Sequence, residues 1–102
     1  MKVEFPPKLV GETKTLTWDF SSDLAVGETI STASVVSTVW SGNDPAPSAT
    51  VSGTATVNNP QVTQKLTGGV AGSIYQLICT AVTSTGNTLQ GYGLLAVLGA
   101  LK

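Results

Sequence analysis

The chain contains no histidine, no arginine and only one cysteine, and charged residues make up 11% of it. Without histidine, Ser-His-Asp and Cys-His pairs cannot be assembled, and a zinc site built from His and Cys fails on ligand count. Five lysines stand against six acids, for a net charge of −1, and they are scattered. No basic patch is available for nucleic acid or for an anionic membrane surface. Cys79 has no intrachain partner, which fits a protein folded in a reducing cytoplasm. Its mid-strand position, with no cation nearby, reads as an inert buried thiol. No glycine-rich loop opens onto a helix with a following lysine, so no phosphate cradle is expected. Six acids without a cleft-forming insertion give no basis for glycosidase chemistry, so neither enzymatic activity nor a cofactor is expected.

Long hydrophobic runs and helical periodicity are also missing. Residues 2–7 are not apolar, so no secretory leader is expected there. The apolar stretch 93–101 is too short for a membrane span, which needs about 20 residues. No segment shows the Leu, Glu, Lys and Arg spacing of an amphipathic helix. What the chain does have is Ser, Thr, Val, Ala and Gly in strand-and-turn proportions, over a length of 102 residues that suits one domain.

The stretch 66–83 organises the rest. Gly68, Gly69 and Gly72 supply a corner, and Ser73 to Thr83 follows as a β-branched, apolar run. Tyr75, Leu77, Cys79 and Ala81 share one face; Ile74, Ile78 and Val82 share the other. Apolar character on both faces predicts a central strand covered on more than one side. Gly72-Ser73-Ile74-Tyr75 places a tyrosine at the strand start, where it would bond back to the preceding loop and pin the crossing between sheets.

In chain order, residues 1–12 with Pro6-Pro7 read as an extended arm or a short edge strand. Thr13 to Phe20 alternates, with Leu16, Trp18 and Phe20 inward. Asp19, Asp23 and Glu28 match no calcium loop and read as solvated turn acids. Ile30 to Trp40 breaks strict alternation at Val35-Val36 and Val39-Trp40, which predicts a bulge or a bend. Asn43-Asp44-Pro45-Ala46-Pro47 is an exposed loop suited to recognition. Strands follow over 49–57, with Gly53 as a possible bulge, and over 61–66. The hairpin at Ser84-Thr85-Gly86-Asn87 leads into a last strand over 88–98. The predicted fold is all-β, an antiparallel sandwich of six to seven strands over residues 13–98, preceded by the arm 1–12 and followed by a tail 99–102; a barrel is the alternative.

Two segments carry a resemblance. Trp18-Asp19-Phe20-Ser21-Ser22-Asp23-Leu24-Ala25 with Gly27-Glu28-Thr29-Ile30, and Gly68 to Leu77 with Cys79 to Thr88, resemble the fiber-tail adaptor proteins of tailed bacteriophages and prophages. The second segment also resembles bacterial immunoglobulin-like and fibronectin-like modules. The resemblance covers roughly residues 13–98. It implies an immunoglobulin-like sandwich in the virion tail, made in the host cytoplasm. It also implies a homo-oligomer on a symmetric tail, bridging tail or connector to fibers; the scattered lysines and short apolar run make neither nucleic acid nor membrane an expected partner. Candidate interface residues are Pro6, Pro7, Trp40, Asp44, Pro45, Pro47, Tyr92, Leu94, Leu95, Leu98 and Leu101, with Tyr75 and Gly72 as the structural corner. The loop around Pro45 and Pro47 and the apolar end 94–101 depart from the family pattern; either would also suit a head-tail connector or a decoration protein. A bacterial surface immunoglobulin-like or carbohydrate-binding module is the other reading, and Trp40 and Tyr92 would have to be its aromatic platform.

Overall fold

The computed structural model describes residues 2–99, which form two packed β-sheets with no α-helix among them. The strands are β1 (Lys2–Glu4), β2 (Lys8–Leu9), β3 (Lys14–Asp19), β4 (Ile30–Ser41), β5 (Val51–Asn58), β6 (Gln61–Leu66), β7 (Ile74–Thr83) and β8 (Thr88–Leu98). One sheet runs β1-β8-β7-β4, with β2 also on β8; the other runs β3-β6-β5. The two layers make a β-sandwich. Eight strands are present where six to seven were expected, because the N-terminal residues join the sheet in two pieces. β1 pairs parallel with Tyr92–Leu94 and β2 with Val97–Leu98. Pro6-Pro7 lies between them, and proline has no N–H to offer a ladder.

The core takes one face from each sheet. Leu16 and Trp18 of β3, Phe20 just after it, and Val62 and Leu66 of β6 meet Tyr75, Leu77, Cys79 and Ala81 of β7 and Leu95 and Val97 of β8. This is the period-2 alternation of strands with one buried side. Trp18 is wholly buried, and Phe5 packs edge-on against it at 5.3 Å between ring centres. The indole N–H has no hydrogen-bond partner among the described residues. Burying the ring is worth about 4–6 kcal/mol, which outweighs the roughly 1–3 kcal/mol cost of that donor.

The irregularities at Val39-Trp40 and Gly53 fall where the sequence breaks period, whereas Val35-Val36 stays in register and the shift after Ile30 has no such sign. β4 shifts register against β7 between Ile30 and Thr32 and between Val39 and Ser41. β5 shifts against β6 between Ser52 and Thr56, around Gly53 at φ +74°. The buried Gln64 side chain donates to the carbonyls of Ser52 (2.9 Å) and Gly53 (3.2 Å), which satisfies part of the backbone at that bulge. The Asn59–Pro60 peptide is cis, and Asn59 ties that turn to the N–H and C=O of Ile30 at 2.6 and 3.1 Å.

One expectation for β7 is corrected. It is central by pairing, with β4 on one side and β8 on the other. Among the described residues, however, no layer lies over its second face: Ile74 and Ile78 are half-buried and Val82 is exposed. Apolar periodicity reports which side chains avoid water, not which neighbour covers them.

Candidate interaction surface

β7 is pinned at both ends by polar groups. At its start, the Tyr75 hydroxyl accepts the Val70 N–H at 2.7 Å and donates to Asp44 Oδ2 at 2.6 Å. Burial and the Asp44 carboxylate push the Tyr75 pKa up. Asp44 is therefore partly withdrawn from the loop surface on which it was expected to be free; its other oxygen accepts the Ala46 N–H at 2.9 Å. Gly69 is at φ +94°, and a Cβ there would lie 3.0 Å from Val97 and 3.4 Å from the Tyr75 ring. Gly72, at φ +86°, donates to the Val97 carbonyl at 2.8 Å. The corner is held to β8 as well as to the loop.

At the other end of β7 lies Glu28, which is buried rather than solvated as expected of a turn acid. Its carboxylate accepts from Thr83 Oγ1 (2.6 Å), Thr85 Oγ1, Asn87 Nδ2 (3.2 Å) and the Ala25 N–H (2.9 Å). The Thr83 and Thr85 hydroxyls and the Ala25 amide, in that order, hold its pKa down to about 2. Local patterning gave no sign of this, since Thr83 is 55 residues away in sequence. Lys8 was missed in the same way. It is buried, and its ammonium donates to the carbonyls of Gly68 (2.6 Å), Leu9 (2.9 Å) and Val10 (3.4 Å). That fastens β2 to the glycine corner. Burial lowers its pKa, with Glu12 acting against the shift.

These fastenings position a large sheet face that no other described element packs on. Register puts Val36, Ile78 and Tyr92 in one row across β4, β7 and β8, and Thr38, Gln76 and Leu94 in the next. Val36, Trp40, Val82, Tyr92, Leu94 and Leu98 are all exposed on this face. Among the described residues its charges are Lys2 and Glu4, at the edge on β1. The opposite outer face, on the three-stranded sheet, has none of this character. Its rows read Thr17-Thr63-Thr56, Thr15-Lys65-Ser52 and Asp19-Gln61-Asn58. A shallow depression of about 400 Å³ there is lined by Thr15, Ser52, Gly53, Thr54, Thr56, Thr63 and Lys65.

Other expected interface residues divide by strand parity. Tyr92, Leu94 and Leu98 point outward, as does Trp40 at the end of β4, and Pro6, Pro7 and Pro45 are exposed while Pro47 is half-buried. Leu95 is corrected: it points into the core, 2% exposed, and cannot form a contact surface. Leu101 lies outside the described residues. Trp40 and Tyr92 share the apolar face but are separated by β7 and by about four residues along the strand direction, roughly 16 Å. They do not form one aromatic platform.

Residues 8–94 match the family described as podophage GP4 fiber-tail adaptor protein gp77. The chain belongs to this fiber-tail adaptor family. No curated protein and no solved structure matches it. The match begins at Lys8, the residue that fastens β2, and takes in both pins of β7 and the outward row of Val36, Ile78 and Tyr92. The fiber-tail adaptor is a structural component of the phage tail, and the family is not one of enzymes. An adaptor of this kind contacts other tail or fiber proteins.

Proposed function

We propose that this adaptor joins the tail, or its connector, to the receptor-binding fibers, using the apolar outer face of the β4-β7-β8 sheet as a contact surface. The observation that carries the reading is the contrast between the two outer faces. One is rich in Thr, Ser, Gln and Asn and suits water. The other exposes Val36, Tyr92 and Leu94 in neighbouring rows, with Trp40 and Leu98 toward one end and Val82 toward the other. A contiguous apolar patch on a small domain marks a surface that is covered in use. Tyr92 and Trp40 are the residue types that dominate such contacts. The exposed prolines at 6 and 7, between β1 and β2, and at 45, after β4, would add to that contact.

In this reading several copies surround a symmetric tail after synthesis in the host cytoplasm, and no cofactor takes part. An immunoglobulin-like description suits the sandwich, because a three-stranded sheet faces a sheet of β8, β7 and β4, and a tyrosine at the start of β7 bonds back to its own loop. The test is a phage carrying Tyr92→Asp together with Leu94→Asp. Tails are expected to assemble without fibers. Full fiber occupancy, with the substituted chain present in the particle, would refute the assignment of this face.

A further inference from the structure

The sandwich has four sheet edges, and three carry devices that discourage pairing. On the β1 and β2 side, Lys2, Glu4 and Lys8 flank Pro6-Pro7. β3 is bounded by Lys14 and Asp19. β5 is bulged at Gly53 and out of register between Ser52 and Thr56. Charges, prolines and bulges are the means by which edges avoid joining other strands. β4 has no charge and no proline in 12 residues, ISTASVVSTVWS; its two register shifts lie at its ends, leaving Thr32 to Val39 regular, and among the described residues it is hydrogen-bonded as a strand only to β7.

Beneath that edge is a groove of about 220 Å³ between β4 and β5, lined by Ala33, Ser34, Val35, Val51, Gly53, Thr54, Ala55 and Gln64. Ala33, Val35, Val51 and Ala55 belong to the apolar fringe of the core, yet all are only partly buried. The groove lies where the inward side chains of one more strand beside β4 would point.

We propose that this edge pairs with β4 of a second copy, antiparallel, about a two-fold axis near Val35. The reading rests on the multicopy part of the proposed function and names the contact between copies. Pairing about Val35 sets Ser34 against Val36 of the second copy and Thr32 against Thr38. Every facing pair is uncharged, and all but Ala33 with Ser37 include a β-branched residue, the kind of cross-strand neighbour that stabilises a ladder. Val35 from each copy turns into the apolar groove. The interface is isologous, as a two-fold requires. An edge of 12 residues is about 40 Å long, and with a sheet spacing of about 10 Å it covers roughly 400 Å² per copy. That is about half of what a standard stable interface buries, so the dimer is a weak, reversible one that assembly on a tail would reinforce.

The test is sedimentation of the purified full chain over a concentration series. The average mass should rise from monomer toward dimer with concentration. Val36→Lys and Ser34→Lys, both at exposed positions, should each raise the dissociation constant roughly tenfold or more, because a lysine on an edge strand discourages pairing. Circular dichroism checks that each variant keeps its β spectrum. Tyr92→Lys, on the same face but two strands from the edge, should leave the dimer intact. A mass that stays monomeric at every concentration overturns the proposal, including the case where β4 amides gain hydrogen-exchange protection only from a foreign partner. A dimer weakened as much by Tyr92→Lys as by Val36→Lys also overturns it, since that outcome means face-to-face stacking. Loss of fibers from the Tyr92→Asp/Leu94→Asp particle is read separately, so failure of this contact and failure of the adaptor reading are distinguishable.

Discussion

Tyr75→Phe removes one oxygen and leaves the ring. The hydroxyl accepts the Val70 N–H at 2.7 Å and donates to Asp44 Oδ2 at 2.6 Å, so two hydrogen bonds are lost, one of them to a carboxylate. A neutral bond contributes about 0.5–1.5 kcal/mol net, and one to a charged group about 1.5–3 kcal/mol. Both partners lie near the surface, since Val70 is exposed and Asp44 half-buried, so water recovers part of each. The expected loss is therefore about 1.5–3 kcal/mol, at the lower part of the summed range. For a domain of this size that lowers Tm by roughly 8–15 °C. Urea unfolding followed by Trp18 fluorescence gives the free energy directly. A double-mutant cycle with Asp44→Ala isolates the second bond, for which a coupling of about 1 kcal/mol is expected. A loss under about 0.5 kcal/mol for Tyr75→Phe, or no coupling to Asp44, would refute the view that this hydroxyl pins β7 to its preceding loop.

Four further outcomes are expected. Glu28 titrates at about 2 in the folded chain, below its ordinary value, so its contribution to stability is present above the ordinary carboxylate range and is lost as pH falls through the acid range toward 2; Glu28→Gln should flatten that part of the stability-against-pH curve in calorimetry. Lys8→Met leaves the Gly68 carbonyl without its 2.6 Å donor and should cost about 1–3 kcal/mol, with the amides of β2 and Val10 exchanging faster than those of β7. Gly93→Ala would put a Cβ 2.5 Å from both the Phe5 ring and the Val3 carbonyl, so β1 should leave the sheet, which proteolysis near Glu4 and a change in Trp18 fluorescence would report. Burial pushes the Cys79 thiol up to about 12, so thiol reagents near pH 8 should leave the native chain unmodified and react at once in denaturant.

Most of the sandwich was legible from local pattern because strands with one buried face alternate. Leu16 and Trp18, with Phe20 just beyond its end, mark β3, and the run 61–66 marks β6, because each has polar residues between its inward side chains. The sequence 94–98 has no such contrast, so Leu95 could not be separated from its outward neighbours Leu94 and Leu98 by composition alone. β7 is similar: its outward face is apolar without being covered by this chain. Charge was the least legible feature. Lys8 and Glu28 look like ordinary surface residues until topology brings Gly68, 60 residues on, and Thr83, 55 residues on, to meet them. Asp44 is a loop acid by composition, and only the return of the chain 31 residues later makes it the partner of Tyr75. The edge devices on β1, β2 and β3 are visible in the sequence, but their absence from β4 acquires meaning only once strand order is known.

The most direct measurement is an electron-microscopy reconstruction of an intact particle that resolves this chain. The account expects it between tail and fiber, with Val36, Ile78, Tyr92 and Leu94 covered by another virion protein and the Thr15-Thr17-Thr63 face toward solvent. A particle in which the chain is absent, or in which the threonine face is covered while Tyr92 and Leu94 face water, would contradict it.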